Sequence, residues 1–248
     1  MAPTIAHALR YTEKIQQKGG GTILNILGEH HDTIGLVETD LQKYRNLIDA
    51  VAKKKEKGKF NAAISIKPSQ FGLYIEDMAP EEREGYTRER MWEIVDAATR
   101  NGIHVEMDIE KSQDHQFTYD LFKDFARRLT ASNRPGMLAV AVQANYKGAV
   151  DRLKELMSLD PETYGPLKFR LVKGIYTKAK GDKLAISEET EMIRLYHALV
   201  ETALSNKLSH HTIAIASHRE DIIAEGGDEI QMLKASAPPC AQVSRGRE

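Results

Sequence analysis

The chain has 248 residues, of which 41% are hydrophobic and 29% are charged, and this composition is typical of one globular domain of the larger kind. A formal net charge of -1 gives no support to a nucleic-acid-binding protein, which usually shows a basic footprint, and the single cysteine, Cys240, excludes a disulfide framework. Because no apolar run approaches about 18 residues and the N-terminus lacks a signal-peptide core, we predict a cytoplasmic protein and leave peripheral contact with a membrane open.

Residues 1–21 are predicted to form a helix over 5–17 and a flexible KGGG linker. Seven later segments have the length and β-branched content of buried strands: TILNILG, NAAISIK, IHVEMD, MLAVAVQ, KFRLVK, HTIAIAS and EIQML. Between them, apolar residues recur with helical spacing over 39–57, 81–101, 114–131, 147–159 and 187–206. This repetition of strand and helix implies parallel strands joined by helical crossovers.

Polar residues stand at or just beyond the carboxyl ends of six successive predicted strands: Glu29, Lys67, Asp108, Gln143, Lys173 and His218. In a (β/α)8 barrel those ends converge on one site, whereas an open sheet brings together chiefly those near a switch point. No G-x-G-x-x-G motif follows the first strand, which further weakens the open dinucleotide-binding sheet. The pattern therefore favours a (β/α)8 TIM-type barrel over residues 22–233.

An eight-stranded barrel needs one more strand and helix than these segments supply. After EIQML the chain reads KASAPPCAQVSRGRE, with adjacent prolines and no period of either kind. We therefore expect the barrel to lack its last strand and helix, and residues 234–248 to form a disordered or frameshifted tail.

The fifth predicted strand carries two cations, Arg170 and Lys173, among apolar neighbours. An unpaired charge removed from water costs several kcal/mol or more, so such cations are paired, solvated at a strand end, or facing an anionic ligand. Lys67 is equally consistent with a solvated strand end. Asp108 and Glu110 are consistent with a salt-bridged rim or with a metal pair completed by His218.

Two adjacent histidines, His30 and His31, follow Glu29. Adjacent histidines on a loop are more often solvated than bound to a metal, so we expect them to be solvated.

Five motifs resemble, in order, those of the proline dehydrogenase family: SIKPSQFGL, VEMDIEKS, VAVQANYKGAVDRL, FRLVKGIY and IASHRED. The resemblance implies a distorted (β/α)8 barrel that binds FAD and oxidises L-proline to pyrroline-5-carboxylate in proline catabolism toward glutamate. It also implies that electrons pass to a quinone, and that pyrroline-5-carboxylate dehydrogenase acts downstream.

The resemblance implies flavin contacts at seven positions: Gln143, Arg170, Lys173, Gly174, Tyr176, Ser217 and His218. Arg170 would lie near flavin N5, and Lys173 near the ribityl chain and pyrophosphate. Lys67 would contact the substrate carboxylate, and Asp108 would order the pocket as the second catalytic position. On this interpretation the two cations of the fifth strand face an anionic cofactor.

The chain departs from the family pattern after the seventh strand, because no Tyr-x-x-Arg-Arg element follows to clamp the proline carboxylate. Two alternatives therefore stay open. The chain is an inactive flavin-binding or interaction remnant of the barrel, or it is a barrel hydrolase or aldolase that uses Lys67 or the group of Asp108, Glu110 and His218.

Overall fold

The computed structural model of the chain describes residues 4–174, 184–205 and 210–216. Three predicted cofactor positions, Tyr176, Ser217 and His218, lie outside the described residues, as do the segment EIQML and the tail over 234–248. The chain divides into two compact units, which are Met1–Asp108 with Phe117–Leu138, and Ile109–Gln116 with Ala139–Glu248.

Strands and helices alternate along the described chain after the first helix. The strands are β1 (Thr22–Asn25), β2 (Ala62–Ile66), β3 (Val105–Met107), β4 (Leu138–Gln143), β5 (Lys168–Val172) and β6 (Thr212–Ala216). The helices are α1 (Ile5–Gln17), α2 (Ile34–Glu56), α3 (Pro80–Arg100), α4 (His115–Ala131), α5 (Ala149–Met157), α6 (Pro161–Tyr164) and α7 (Glu189–Ser205). Six of the seven predicted strands and all six long predicted helices are therefore present. Helix α2 begins earlier than the predicted residue 39, and α6 was not predicted.

The first unit contains β1, β2 and β3, which pair in parallel in chain order. Thr22 is in register with Ala62, and Ile64 is in register with Val105. Helices α2 and α3 supply the crossovers that a parallel arrangement requires. The buried face of α2 recurs every three or four positions, at Val37, Asp40, Leu41, Tyr44, Leu47, Ile48 and Val51. All but one of these residues carry the apolar or aromatic side chains expected of a helix that packs on a core.

The second unit contains β4, β5 and β6, which are also parallel and paired in chain order. All six residues of β4 are buried, whereas β5 alternates, with Phe169 and Leu171 buried and Arg170 half-buried between them. Since successive side chains of a strand point to opposite faces, Arg170 lies on the face opposite the buried aromatic and aliphatic side chains. The strand accommodates a cation because only one of its faces is fully enclosed.

The predicted α/β class is confirmed by these parallel strands and their helical crossovers. Among the helices that the structure describes, none combines the length and hydrophobicity needed to cross a bilayer.

Candidate functional site

Lys67 and Asp108 stand at equivalent positions just beyond β2 and β3 in the first unit. Ile66 is in register with Met107, and the backbone N–H of Asp108 donates to the carbonyl oxygen of Ile66 at 2.8 Å. Both side chains are half-buried. The structure therefore brings the two predicted catalytic residues to the same end of the same pair of strands, as parallel pairing requires.

Lys67 also lies beside Glu29, which follows β1. Its ammonium nitrogen Nζ is 3.5 Å from Glu29 Oε2, and the Lys67 side chain is only 15% exposed, whereas that of Glu29 is 53% exposed. Lys67 is thus held in place near a carboxylate and is not an ordinary solvated strand end. An ion pair with one exposed partner contributes little to stability, so a ligand carboxylate can replace Glu29 at small cost.

The expectation that both loop histidines are solvated is wrong for His31. Its side chain is buried, and Nε2 lies 2.7 Å from Oδ2 of Asp40, a residue of helix α2 that is 2% exposed. His30 is half-buried with a positive φ of 54°, and its ring packs against that of Tyr74 with centroids 4.8 Å apart. The sequence carried one signal for this arrangement, because Asp40 occupies an otherwise apolar face of α2.

Gln143 ends β4 in the second unit, and its side chain is oriented by the chain itself. The amide Nε2 donates to the carbonyl oxygen of Ile109, and the residue is only 6% exposed. Within the part of the chain that the structure describes, the buried Oε1 of Gln143 accepts no hydrogen bond. A buried oxygen without a hydrogen-bond donor can accept a hydrogen bond from a ligand.

Arg170 shares a sheet face with Gln143. Ala141 is in register with Arg170, and Gln143 is in register with Val172. Because residues two apart on a strand point to the same side, all four side chains lie on one face of the two neighbouring strands. The geometry thus places a buried amide and a half-buried guanidinium on one surface of the second unit.

Lys173 follows β5, and its Nζ lies 3.5 Å from Oε1 of Glu189 at the start of α7. The Lys173 side chain is 38% exposed and that of Glu189 is 67% exposed, so this pair is open to solvent. Arg170 and Lys173 therefore both lie where a ligand can approach them without the burial of an unpaired charge.

Gly174 adopts a φ of +93°, and a Cβ at this position would overlap the side-chain amide of Asn145. The backbone of Asn145 is fixed at both ends, since its N–H donates to Lys173 O at 3.0 Å and its carbonyl accepts from Ile186 N at 2.7 Å. Asn145 is fully buried, and its amide atoms have no hydrogen-bond partner among the described residues. The structure therefore gives a packing reason for glycine at position 174, and adds Asn145 to the residues around the predicted cofactor positions.

The metal interpretation of Asp108 and Glu110 finds no cluster in the described ranges. Among residues 4–174, 184–205 and 210–216, no group of three or more His, Cys, Asp and Glu side chains is arranged to hold a metal ion. The third predicted ligand, His218, lies outside these ranges. The carbonyl oxygen of Glu110 accepts a hydrogen bond from the Tyr146 hydroxyl at 3.2 Å.

Solved structures with the same fold include two bacterial proline utilization A proteins. That of Bdellovibrio bacteriovorus, inactivated by N-propargylglycine, superposes with a TM-score of 0.83 at 19% identity, over 97% of this chain and 27% of that chain. A mutant of the Bradyrhizobium japonicum protein superposes with a TM-score of 0.75 at 16% identity, over 98% of this chain and 25% of that chain. At these identities the likeness concerns the fold, and it confirms the predicted α/β barrel of the TIM type.

Sequence comparison then identifies the family within this fold class. A sequence model of the family described as proline dehydrogenase matches residues 8–231. Proline dehydrogenase 2 of Bacillus subtilis (strain 168), like that of Bacillus subtilis subsp. natto, is 29% identical over 163 residues, which are 66% of this chain and 46% of that protein. The chain belongs to the proline dehydrogenase family, and it spans about half the length of the curated relatives that it matches.

Proposed function

We propose that this chain catalyses the FAD-dependent oxidation of L-proline to pyrroline-5-carboxylate. The observation that carries the proposal is the family match over residues 8–231, a range that contains all nine predicted site residues. The carboxyl ends of β2 to β5 add the residue types that the reaction needs, because they present cations for a carboxylate and a flavin, and a buried amide for a flavin ring.

The residues of the second unit fit a flavin. The edge of an isoalloxazine ring offers one N–H donor between two carbonyl acceptors, and Gln143 presents a buried oxygen with no hydrogen-bond partner among the described residues. Arg170, on the same sheet face, would complement negative charge on the reduced ring, and Lys173 would complement the pyrophosphate. When bound, FAD supplies a hydride acceptor at its N5 atom.

The residues of the first unit fit the substrate. In the oxidation, hydride leaves the ring carbon of proline that is bonded to nitrogen and does not carry the carboxylate, a proton leaves the nitrogen, and a double bond forms between these two atoms. Lys67 would hold the proline carboxylate, and the Lys67 ammonium is already placed by its half-buried position beside Glu29. Asp108 would order the same end of the strands.

Electrons would pass from the reduced flavin to a quinone, which a peripheral contact with a membrane would allow the chain to reach. The product would pass to pyrroline-5-carboxylate dehydrogenase, and so toward glutamate.

An anaerobic titration of the purified, FAD-reconstituted chain with L-proline tests the proposal. We expect stoichiometric loss of the oxidised-flavin absorbance. Flavin that binds but stays oxidised would instead define a cofactor-binding remnant, and a chain that binds no flavin would favour an interaction remnant or a barrel hydrolase or aldolase.

A pair of arginine variants tests the cofactor residues. Arg170→Ala should abolish flavin retention on gel filtration, because it removes the half-buried cation on the proposed flavin surface. Arg194→Ala is the matched control, since this arginine lies on α7 with a side chain 66% exposed and pairs only locally with Glu191 at 2.6 Å in the described chain. Equal flavin content in Arg170→Ala and Arg194→Ala would contradict the assigned flavin surface.

A further inference from the structure

A buried polar cluster in the first unit, formed by His31, Asp40, Tyr44 and Gln70, is used neither by the predicted substrate contacts nor by the predicted flavin contacts. Asp40 is its centre. His31 Nε2 lies 2.7 Å from Asp40 Oδ2, and the Gln70 side-chain amide donates to the same oxygen at 3.2 Å. Lys43, on the solvent side, donates to Asp40 Oδ1 at 2.7 Å.

Gln70 and Tyr44 close the cluster. Gln70 Nε2 donates to the Ile26 carbonyl oxygen at 2.8 Å, while the Tyr44 hydroxyl lies 3.0 Å from Gln70 Oε1 and 2.8 Å from the Ser65 carbonyl oxygen. Gln70 and Tyr44 are both fully buried. A buried polar cluster with this many mutual hydrogen bonds holds its members in one arrangement, because any rearrangement leaves a buried group unsatisfied.

The hydrogen bonds around Asp40 favour its ionised form. Burial raises the pKa of its carboxyl group, but hydrogen bonds from Lys43 and His31 outweigh that effect and hold the pKa below its usual value. A buried carboxylate is a stronger acceptor than a neutral oxygen, so it favours one arrangement of the donors around it.

The cluster connects the two segments that carry Lys67 and Glu29. On one side, Gln70 belongs to the 3-10 turn Pro68–Gln70 directly after Lys67, and its N–H donates to the Lys67 carbonyl oxygen at 3.1 Å. On the other side, a Cβ at Gly28, the residue before Glu29, would lie 2.6 Å from Asp40 Oδ2. The backbone N–H of His31 also donates to the Ser69 carbonyl oxygen at 2.9 Å, so the segments touch directly.

We propose that Asp40 is a positioning residue for substrate binding: its carboxylate fixes the segment bearing Glu29 against the turn that follows Lys67, and so sets where the Lys67 ammonium meets the substrate carboxylate. This inference rests on the proposed function for the identity of the substrate. The coupling of the two segments is independent of the proposed function.

The test compares Asp40→Asn with Asp49→Asn in the full-length, FAD-loaded protein. Asparagine at position 40 keeps the shape but loses the charge and turns an amide donor toward His31 or Gln70. Asp49 is an exposed acid of the same helix and is the matched control. We expect Asp40→Asn to raise KM for L-proline about tenfold while kcat changes less than about threefold, and Asp49→Asn to match the wild type.

Two further measurements keep the result interpretable. Gln70→Met removes the hydrogen bond between Asp40 and the turn after Lys67, together with those to Ile26 and Tyr44, but leaves the His31–Asp40 pair in place. It should also raise KM, and it tests the proposal even where Asp40→Asn folds poorly. Amide hydrogen exchange should accelerate over residues 28–32 and 67–71 together in Asp40→Asn or Gln70→Met, but not in Asp49→Asn.

Unchanged KM in a folded Asp40→Asn variant would overturn the proposal, as would a parallel fall in kcat, KM and flavin content. A wild-type protein that binds FAD but does not oxidise L-proline would refute the proposed function instead. In that event hydrogen exchange decides the coupling alone: faster exchange in both segments supports it, and unchanged exchange overturns it.

Discussion

Gly174 and Asn145 occupy one small volume beside the proposed flavin surface. The glycine has a φ of +93°, and the Asn145 amide lies where any other residue would place its Cβ. Two separate costs therefore oppose substitution, because an L-residue is strained at this φ and its Cβ would also displace a buried side chain. The fold by itself therefore requires the glycine of the V-K-G motif, whatever ligand lies nearby.

Gly174→Ala should destabilise the protein by about 2 to 4 kcal/mol, measured by urea denaturation, as the sum of backbone strain and overlap. Gly148→Ala is the matched control, since Gly148 has a φ of +83° with no atom within 4 Å of the added Cβ. It should cost only about 1 kcal/mol. The double variant Gly174→Ala with Asn145→Ala should regain the part of the lost stability that comes from overlap with the Asn145 side chain. Equal costs at positions 174 and 148 would show that Asn145 moves freely.

Asp124 on helix α4 is surrounded by arginines. Burial raises the pKa of its carboxyl group, but hydrogen bonds and charge interactions with Arg127, Arg128 and Arg88 outweigh this and lower the pKa below its usual value. The nearest contact, to Arg128, is 2.8 Å. A carboxyl group with a lowered folded-state pKa stabilises the protein above its unfolded pKa, and that contribution is lost as pH falls through the folded-state value.

Asp124→Asn should therefore reduce stability by about 1 kcal/mol near neutral pH, with the exposed arginines allowed for. Because the unfolded pKa is about 3.9, the difference from wild type should persist down to about pH 4 and narrow below it. Urea denaturation across this range measures it. As a control, about 1 M salt should reduce the neutral-pH difference by screening. A difference that stays constant on acidification would contradict this account.

At the scale of elements, β5 packs against the core on one face, and its other face carries the proposed flavin surface. Phe169 and Leu171 are fully buried, and the buried Tyr196 of α7 donates its hydroxyl to the Leu171 carbonyl oxygen at 3.0 Å. Burial raises the pKa of Tyr196, which keeps the hydroxyl protonated as a donor. Helix α7 thereby fixes the strand whose opposite face carries Arg170.

Tyr196→Phe should cost about 1 to 2 kcal/mol in urea denaturation, because it leaves the Leu171 carbonyl oxygen short of a hydrogen bond in a buried place. Tyr11→Phe is the matched control, since the Tyr11 residue is 53% exposed on α1. It should change stability by less than about 0.5 kcal/mol. If the two substitutions had equal effects, the hydrogen bond from α7 to β5 would contribute nothing to stability.

At the scale of the whole molecule, the residues assigned to proline and those assigned to flavin come from different compact units. Lys67 and Asp108 belong to the first unit, whereas Gln143, Arg170 and Lys173 belong to the second. Removal of one set should therefore affect one ligand and leave the binding of the other measurable.

A thermal-shift measurement with FAD checks this separation. At FAD concentrations about a hundredfold above Kd, binding should stabilise the chain by about 2.7 kcal/mol and raise Tm by roughly 5 to 10 °C. Lys67→Met should keep this shift but lose reduction by L-proline, while Arg170→Ala should lose the shift itself. Loss of the FAD shift in Lys67→Met would contradict the assignment of Lys67 to the substrate.

Much of the fold was predictable because it rests on local patterns. The apolar period of α2 and the strand-length runs of β2 and β4 depend on neighbours a few positions away, so they are legible in the sequence. Parallel pairing then carries Lys67 and Asp108 to the same strand ends without further information. The five ordered motifs indicate the family because each is a short contiguous segment that can be read from the sequence.

The tertiary structure decided which polar groups are buried and with whom they pair. His31 reads as a solvated loop residue until α2 brings Asp40 to it, and Gln70 reaches the same carboxylate from a position thirty residues further along the chain. Asn145 likewise meets Gly174 only through the pairing of β4 with β5. The sequence by itself determined the long helices, the strands of the described residues, their order and the family. Burial and the partner of each polar group depend on contacts between distant segments, and local periodicity carries no information about them.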